Sequence, residues 1–209
     1  MSIALQRRRT IAVVLAALCV AAASAQPDLN KPKRTVIPLV EKGPVLDGKL
    51  DDACWKQGSL LTNFTDQERL AKTVTEQTFA WVLRDRDNLY FGFKCLSKDP
   101  SKTIAEKTGH DAYRAYKDDV VEIMLDTELT HHDFFHFIIN STGAIWDAEQ
   151  HRLPETERMI PSPQWNSNAE AKGSRDNQAW HVEVRIPIKD LGEKAVKSIA
   201  EAKTWGLQV

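Results

Sequence analysis

The sequence predicts an all-β fold, an antiparallel β-sandwich of two sheets with a jelly-roll-like, immunoglobulin-like architecture. Three observations lead there. Short stretches of alternating residues recur from residue 74 onward. Gly, Pro, Asp or Asn turn signals separate them. No long run carries the helical period of apolar residues. The clearest stretch is YKDDVVEIMLDT, residues 116–127. Successive side chains of a strand point to opposite faces. Val121, Ile123 and Leu125 therefore share a wholly apolar face that belongs in the core. Val120, Glu122, Met124 and Asp126 share the other. An unpaired acid is costly to bury, so Glu122 is expected on a sheet surface or in a shallow site. Phe137, Val182 and Val184 are expected to join the core.

Residues 1–25 read as a secretory signal peptide. Arg7, Arg8 and Arg9 form the positive region, residues 11–22 the apolar region, and Ala23-Ser24-Ala25 a small-x-small cleavage site. The apolar run is shorter than the ~20 residues that span a membrane. Its removal from 209 residues leaves 184, and the loss of three arginines and no acid takes the net charge from −1 to −4. A mildly acidic chain of this length suits one domain and argues against nucleic acid as a partner. Residues 26–33, with two prolines, read as a tether to a sandwich over 34–209.

Residues 34–40 form a first strand, with Pro38 favouring an edge position. Asp47-Gly48 marks a tight turn, and Asp51 is placed to cap a short helical turn. Trp55 then plugs one end of the core. Residues 59–73 look irregular, anchored by Leu60, Leu61 and Phe64. Alternation returns at 74–84 and, after Asp85-Arg86-Asp87-Asn88, at 89–96, giving an antiparallel hairpin. Leu89, Phe91, Phe93 and Cys95 share one face. Residues 97–117 are a long polar connection, and loops of this length are often functional. Strands follow at 134–140 and 144–148, then a second loop over 149–164. Residues 165–172 are weakly strand-like. Trp180, Val182, Val184 and Ile186 alternate with His181, Glu183 and Arg185 up to Pro187. Residues 189–192 read as a turn or short helix. The run 205–209 starts another strand, so the sandwich is expected to be incomplete at its C-terminus. In an oxidising compartment Cys54 and Cys95 could pair as a disulfide; two buried free thiols fit equally well.

Five motifs occur in order: LDGKLDDACW from Leu46, DRDNLYF from Asp85, DDVVEIMLD from Asp118, FIINSTG from Phe137 and WHVEVRIP from Trp180. In this order the series resembles the family 9 carbohydrate-binding modules and their DOMON-like relatives. The resemblance implies the sandwich and an oligo- or polysaccharide ligand. In sugar-binding members an aromatic before the acidic strand stacks on the sugar, and the strand's Glu bonds it. Tyr116 and Glu122 match those positions, and Asn140 matches an Asn near the same face. At Ile138 the sequence departs from the pattern, since those members carry an arginine there. Their second aromatic lies on a segment after the last strand seen here. The resemblance further implies structural calcium, with Asp99 and Asp119 the nearest candidates. It implies an N-terminal domain of a larger exported protein whose remainder is an outer-membrane barrel. The place of such a protein is the periplasm, the outer membrane or outside the cell.

Other chemistries fit less well. A glycosidase needs two carboxylates about 5–5.5 Å or 6.5–9.5 Å apart. Glu122 and Asp126 share a face but stand about 13 Å apart along a strand. Glu122 with Glu183 is the remaining pair. The domain is therefore expected to be non-catalytic, with any glycoside hydrolase activity in an associated domain. His131, His132 and His136 read as a solvated turn and strand rather than a zinc site, because the strand spreads them apart. Asp111, Asp118 and Asp119 could contribute oxygens to calcium. Electron transfer is the alternative class: DOMON-like relatives hold haem between the sheets, for which Met124 and His136 are the candidate ligands. A purely structural domain preceding a barrel is a further alternative.

Overall fold

The alternating stretches pair into two five-stranded antiparallel sheets. The computed structural model describes residues 34–64, 74–111, 115–153, 155–156, 158–162 and 164–209. The signal peptide and tether expected over residues 1–33 lie outside the described residues. In chain order the strands are β1 (Ser59–Leu61), β2 (Thr78–Arg84), β3 (Asn88–Leu96), β4 (Val120–Asp126), β5 (Asp133–Asn140), β6 (Ile145–Leu153), β7 (Arg158–Pro161), β8 (Glu170–Arg175), β9 (Ala179–Pro187) and β10 (Gly206–Gln208). One sheet runs β1-β2-β3-β9-β8, the other β10-β4-β5-β6-β7. The predicted sandwich is therefore the observed fold.

Period-two alternation sets the core. Ala80, Val82, Leu89, Phe91, Phe93, Val182, Val184 and Ile186 of the first sheet meet Val121, Ile123, Leu125, Phe137 and Ile139 of the second. All six core residues expected from the sequence are buried. Each such side chain contributes about 1.5–3 kcal/mol by leaving water. Near one end the two sheets nearly touch. A Cβ on Gly173 of β8 would lie 2.0 Å from the Ser141 carbonyl oxygen in the β5–β6 turn. Only glycine permits that approach.

A second layer covers the outer face of the first sheet. Val40, Trp55, Leu83 and Tyr90 cluster there, with Leu50, Cys54 and Trp81 packed against them. Trp55 therefore caps an outer face rather than plugging an end of the core. Its ring occupies the space left by Gly92, where a Cβ would stand 3.0 Å from the indole. The predicted helical turn is the 3-10 helix Ala53–Gln57. It starts after Asp52 rather than Asp51, and the Asp52 carboxylate accepts from the Val45 N–H at 3.0 Å instead of capping the turn.

Several elements differ from the sequence reading. Residues 34–40 make only a parallel bridge, Leu39 to Arg84, beside β2. Part of the stretch expected to be irregular is β1, paired with β2; residues 65–73 lie outside the described residues. The second expected loop contains the rest of β6 and the exposed β7, its partner. A helix, α1 (Gly192–Ala200), follows the 3-10 turn Ile188–Leu191. Ala195, Ser198 and Ile199 face the core, while Glu193, Lys194, Val196 and Lys197 face outward. Nine residues with three inward positions give too weak a helical period to see in the sequence. Among the described residues, no helix is long and apolar enough to cross a membrane.

The Cys54–Cys95 disulfide does not form: both are free thiols. Cys95 points into the core from β3, whereas Cys54 packs in the layer on the opposite face of that sheet. Burial pushes the Cys95 thiol up to about 12.

Candidate functional site

The outer face of the second sheet gathers the residues singled out in the sequence. Register places Glu122, Ile138 and Trp146 in one row across β4, β5 and β6. Met124, His136 and Ala148 form the adjacent row. Ala115, Ile138 and Ala144 form a small buried cluster on this face, with Val120 and Trp146 against it. Ala115 opens the 3-10 turn Ala115–Lys117, so Tyr116 stands at the rim of the same face. Its ring is 59% exposed.

Glu122 is half-buried and directed outward, since its neighbours Val121 and Ile123 fill the core. Its Oε2 lies 3.0 Å from Nε2 of His136. That bond holds the Glu122 carboxyl below its ordinary value against a smaller opposing effect of burial. Oε1 has no partner among the described residues. The His136 ring stands edge-on to Trp146, centroids 5.6 Å apart at 85°. Glu122 was expected on a sheet surface or in a shallow site; it stands on the outer sheet surface, and its neighbour is a histidine of the next strand. His136 and Trp146 are the side chains that sequence reasoning did not attach to this site. Their signal was present, because both sit on the outward parity of strands already recognised.

Asn140 serves the loop above. It is fully buried. Its Nδ2 donates to the Lys107 carbonyl at 2.9 Å and to Asp118 Oδ2 at 2.8 Å. Its Oδ1 accepts from Thr142 N–H, Thr142 Oγ1 and Ala144 N–H. Both donors are thus used within the fold. Asp118 Oδ2 also accepts from the Lys107 N–H at 2.9 Å, and Asp119 Oδ2 from the Ile104 N–H at 2.7 Å. The acidic corner pins the long connection onto the sheet through backbone amides. Those bonds position Tyr116.

The residues named for calcium have partners within the fold. The Asp99 carboxylate is engaged by Ser101 and by Lys102 at 3.0 Å, and Asp119 by Ile104. Calcium takes six to eight oxygens around one point. Among the described residues, the cluster with metal-ligand spacing is His110, Asp111 and Asp147. Met124 and His136 are direct cross-strand partners facing outward. The space between the sheets, where the resemblance places haem, holds Phe91, Phe93 and Phe137.

Glu183 lies on the outer face of the first sheet and Glu122 on that of the second. Sheets pack about 10 Å apart, so these two carboxylates cannot flank one glycosidic bond. Glu183 instead locks the second layer. It is fully buried, and it accepts from Trp55 Nε1 at 2.9 Å, Gly48 N–H at 2.9 Å and Asp47 N–H at 3.0 Å. Burial pushes its carboxyl up, and the three donors offset that only in part. The motif from Leu46 to Trp55 is thereby explained as a buckle.

Residues 46–209 match the family described as carbohydrate family 9 binding domain-like. The chain belongs to that family. Among solved structures, this family 9-like domain is similar to a candidate carbohydrate-binding protein from Bacteroides uniformis ATCC 8492. The TM-score is 0.52 at 14% identity, covering 74% of this chain and 72% of that one. Two family 9 carbohydrate-binding modules from Caldicellulosiruptor kristjanssonii also match. The one in complex with cellotriose has a TM-score of 0.47 at 18% identity, covering 72% of this chain and 66% of that one. The one in complex with glucose has a TM-score of 0.47 at 17% identity, covering 72% and 68%. No curated protein matches the chain.

Proposed function

We propose that this family 9-like domain binds a saccharide on the outer face of its second sheet, as a non-catalytic module of an exported polysaccharide-handling protein. Family membership over 46–209 supports the ligand class. The observation that carries the location is the row of Glu122 and Trp146 on the outer face, with the exposed ring of Tyr116 at its rim. Sugars present C–H faces to aromatic rings and hydroxyl groups to acceptors. Tyr116 is the platform, and Glu122, held ionised by His136, accepts from sugar hydroxyls through Oε1. Asn140 contributes by fixing the loop that carries Tyr116. The signal-peptide pattern at 1–25 supports export of the module, to the periplasm, the outer membrane or outside the cell.

Calorimetry against xylan and glucan oligosaccharides tests this. Tyr116→Ala should cost about 1–3 kcal/mol of binding, the range of base–aromatic stacking. That is roughly a fivefold to more than hundredfold loss of affinity. Glu122→Ala should also weaken binding. Unchanged affinity in both variants would move the site elsewhere on the domain.

A further inference from the structure

The geometry points to a divalent transition-metal site, of the zinc class, formed by His110, Asp111 and Asp147 between the long connection and β6. One ligand atom from each of the three lies within 4.8 Å of the other two. His110 Nε2 stands 3.6 Å from Asp147 Oδ2, and His110 Nδ1 stands 3.6 Å from Asp111 Oδ1. Both distances exceed an N–H···O hydrogen bond. One imidazole nitrogen binds one ion, so only one of these contacts is a ligand pair at a time. At 3.6 Å it is close to the separation of two ligands on one tetrahedral zinc ion, about 3.3–3.4 Å for bonds of about 2.0–2.1 Å. The third ligand atom lies within 4.8 Å.

Asp147 supplies the independent observation. The residue is 5% exposed, and its Oδ1 has no hydrogen-bond partner. A buried carboxylate oxygen without a partner is costly, and a cation beside it removes that cost. The surroundings are those of a ligand set. Ser167 donates to Asp147 Oδ2 through its hydroxyl and, at 3.3 Å, its N–H. Asn166 Nδ2 donates to Asp111 Oδ2 at 3.2 Å. Two adjacent residues thus hold both carboxylates, Asn166 on the far oxygen of Asp111 and Ser167 on Asp147 Oδ2, leaving Asp147 Oδ1 open to an ion, as outer-shell partners orient metal ligands. Imidazole together with carboxylates suits zinc and its neighbours in the transition series better than calcium, which takes only oxygen.

The site lies where a clamp is useful. The Gly109 carbonyl accepts from the Ile145 N–H at 3.0 Å, so the loop already touches the start of β6. A metal one to two residues further along each segment fastens it there. The same connection leads on to Tyr116, yet the metal site does not depend on sugar binding.

Equilibrium dialysis of the metal-stripped chain against zinc, read by elemental analysis, tests the inference, with melting temperature measured in parallel. One zinc per chain and an upward melting shift reversed by EDTA are expected. His110→Ala removes a partly exposed side chain and should leave the fold intact. It should weaken zinc binding by at least about 10–100-fold, the cost of losing even an outer-shell partner. Asp147→Asn keeps the volume and should do the same. Cobalt in place of zinc should give visible absorption in the parent chain that His110→Ala abolishes. Zinc bound equally well by His110→Ala, no zinc bound by the parent, or calcium displacing zinc would each overturn the assignment.

Discussion

Glu183→Ala tests whether one carboxylate fastens the second layer to the sandwich. Three donors converge on Glu183: the Trp55 indole N–H and the backbone N–H groups of Asp47 and Gly48. Leaving a buried donor unpaired costs about 1–3 kcal/mol. The three share one acceptor group, so their costs do not simply add. Alanine also relieves the desolvation of a buried charge. The expected net loss is about 3–5 kcal/mol, a large part of the roughly 5–15 kcal/mol of a typical domain. Glu183→Gln keeps the volume and one oxygen for the two backbone donors, but turns an amide N–H₂ toward the indole. It should cost about 1–3 kcal/mol. Urea unfolding followed by circular dichroism gives both values by linear extrapolation. Trp55→Phe closes the cycle: its cost should shrink in the Glu183→Gln background, with a coupling of about 0.5–3 kcal/mol. An Ala variant within about 0.5 kcal/mol of the parent, or equal Trp55→Phe costs in both backgrounds, would refute the buckle.

The same residue gives a pH signature. Its carboxyl is raised by burial, so between the ordinary value and the folded one the native state holds more proton. Stability attributable to Glu183 falls as pH rises through that window, and Glu183→Gln flattens the slope. Glu122 has the opposite sign, because the His136 bond lowers it. Its contribution is present above the ordinary glutamate value and is lost as pH falls through the folded one; carbon NMR titration should show it returning upward in His136→Ala. Cys95, pushed up to about 12, should resist iodoacetamide in the native protein and react once unfolded, as peptide mapping would show. Ile123→Ala should cost about 2–5 kcal/mol in urea unfolding, and an effect below about 0.5 kcal/mol would mean the β4 faces are inverted. Gly173→Ala drives a Cβ against the Ser141 carbonyl and should destabilise by about 1–3 kcal/mol; a neutral result would mean the two sheets do not close at that end.

Strand period and turn chemistry were enough to specify the sandwich, because each depends on residues one to four apart. Val121, Ile123 and Leu125 can share a face in only one way once β4 exists, and Asp85 to Asn88 can close only a hairpin. The ordered motifs carried the family for the same reason. Alternation names the face of a side chain but not what covers that face. Glu122 and Glu183 have the same parity relative to their cores, yet Glu122 meets solvent and His136, while Glu183 is sealed under Trp55, 128 residues earlier in the chain. Asn140 looked like a ligand residue and is a loop anchor, because Lys107 and Asp118 come back over it. Cys54 and Cys95 suggested a pair, but the sheet lies between them. His110, Asp111 and Asp147 share no motif; the long connection brings them together only when it folds across β6. Local sequence determined the strands and their two faces. Long-range closure decided which outward faces are buried, bonded or left open, because burial of a surface depends on the segment that returns to cover it.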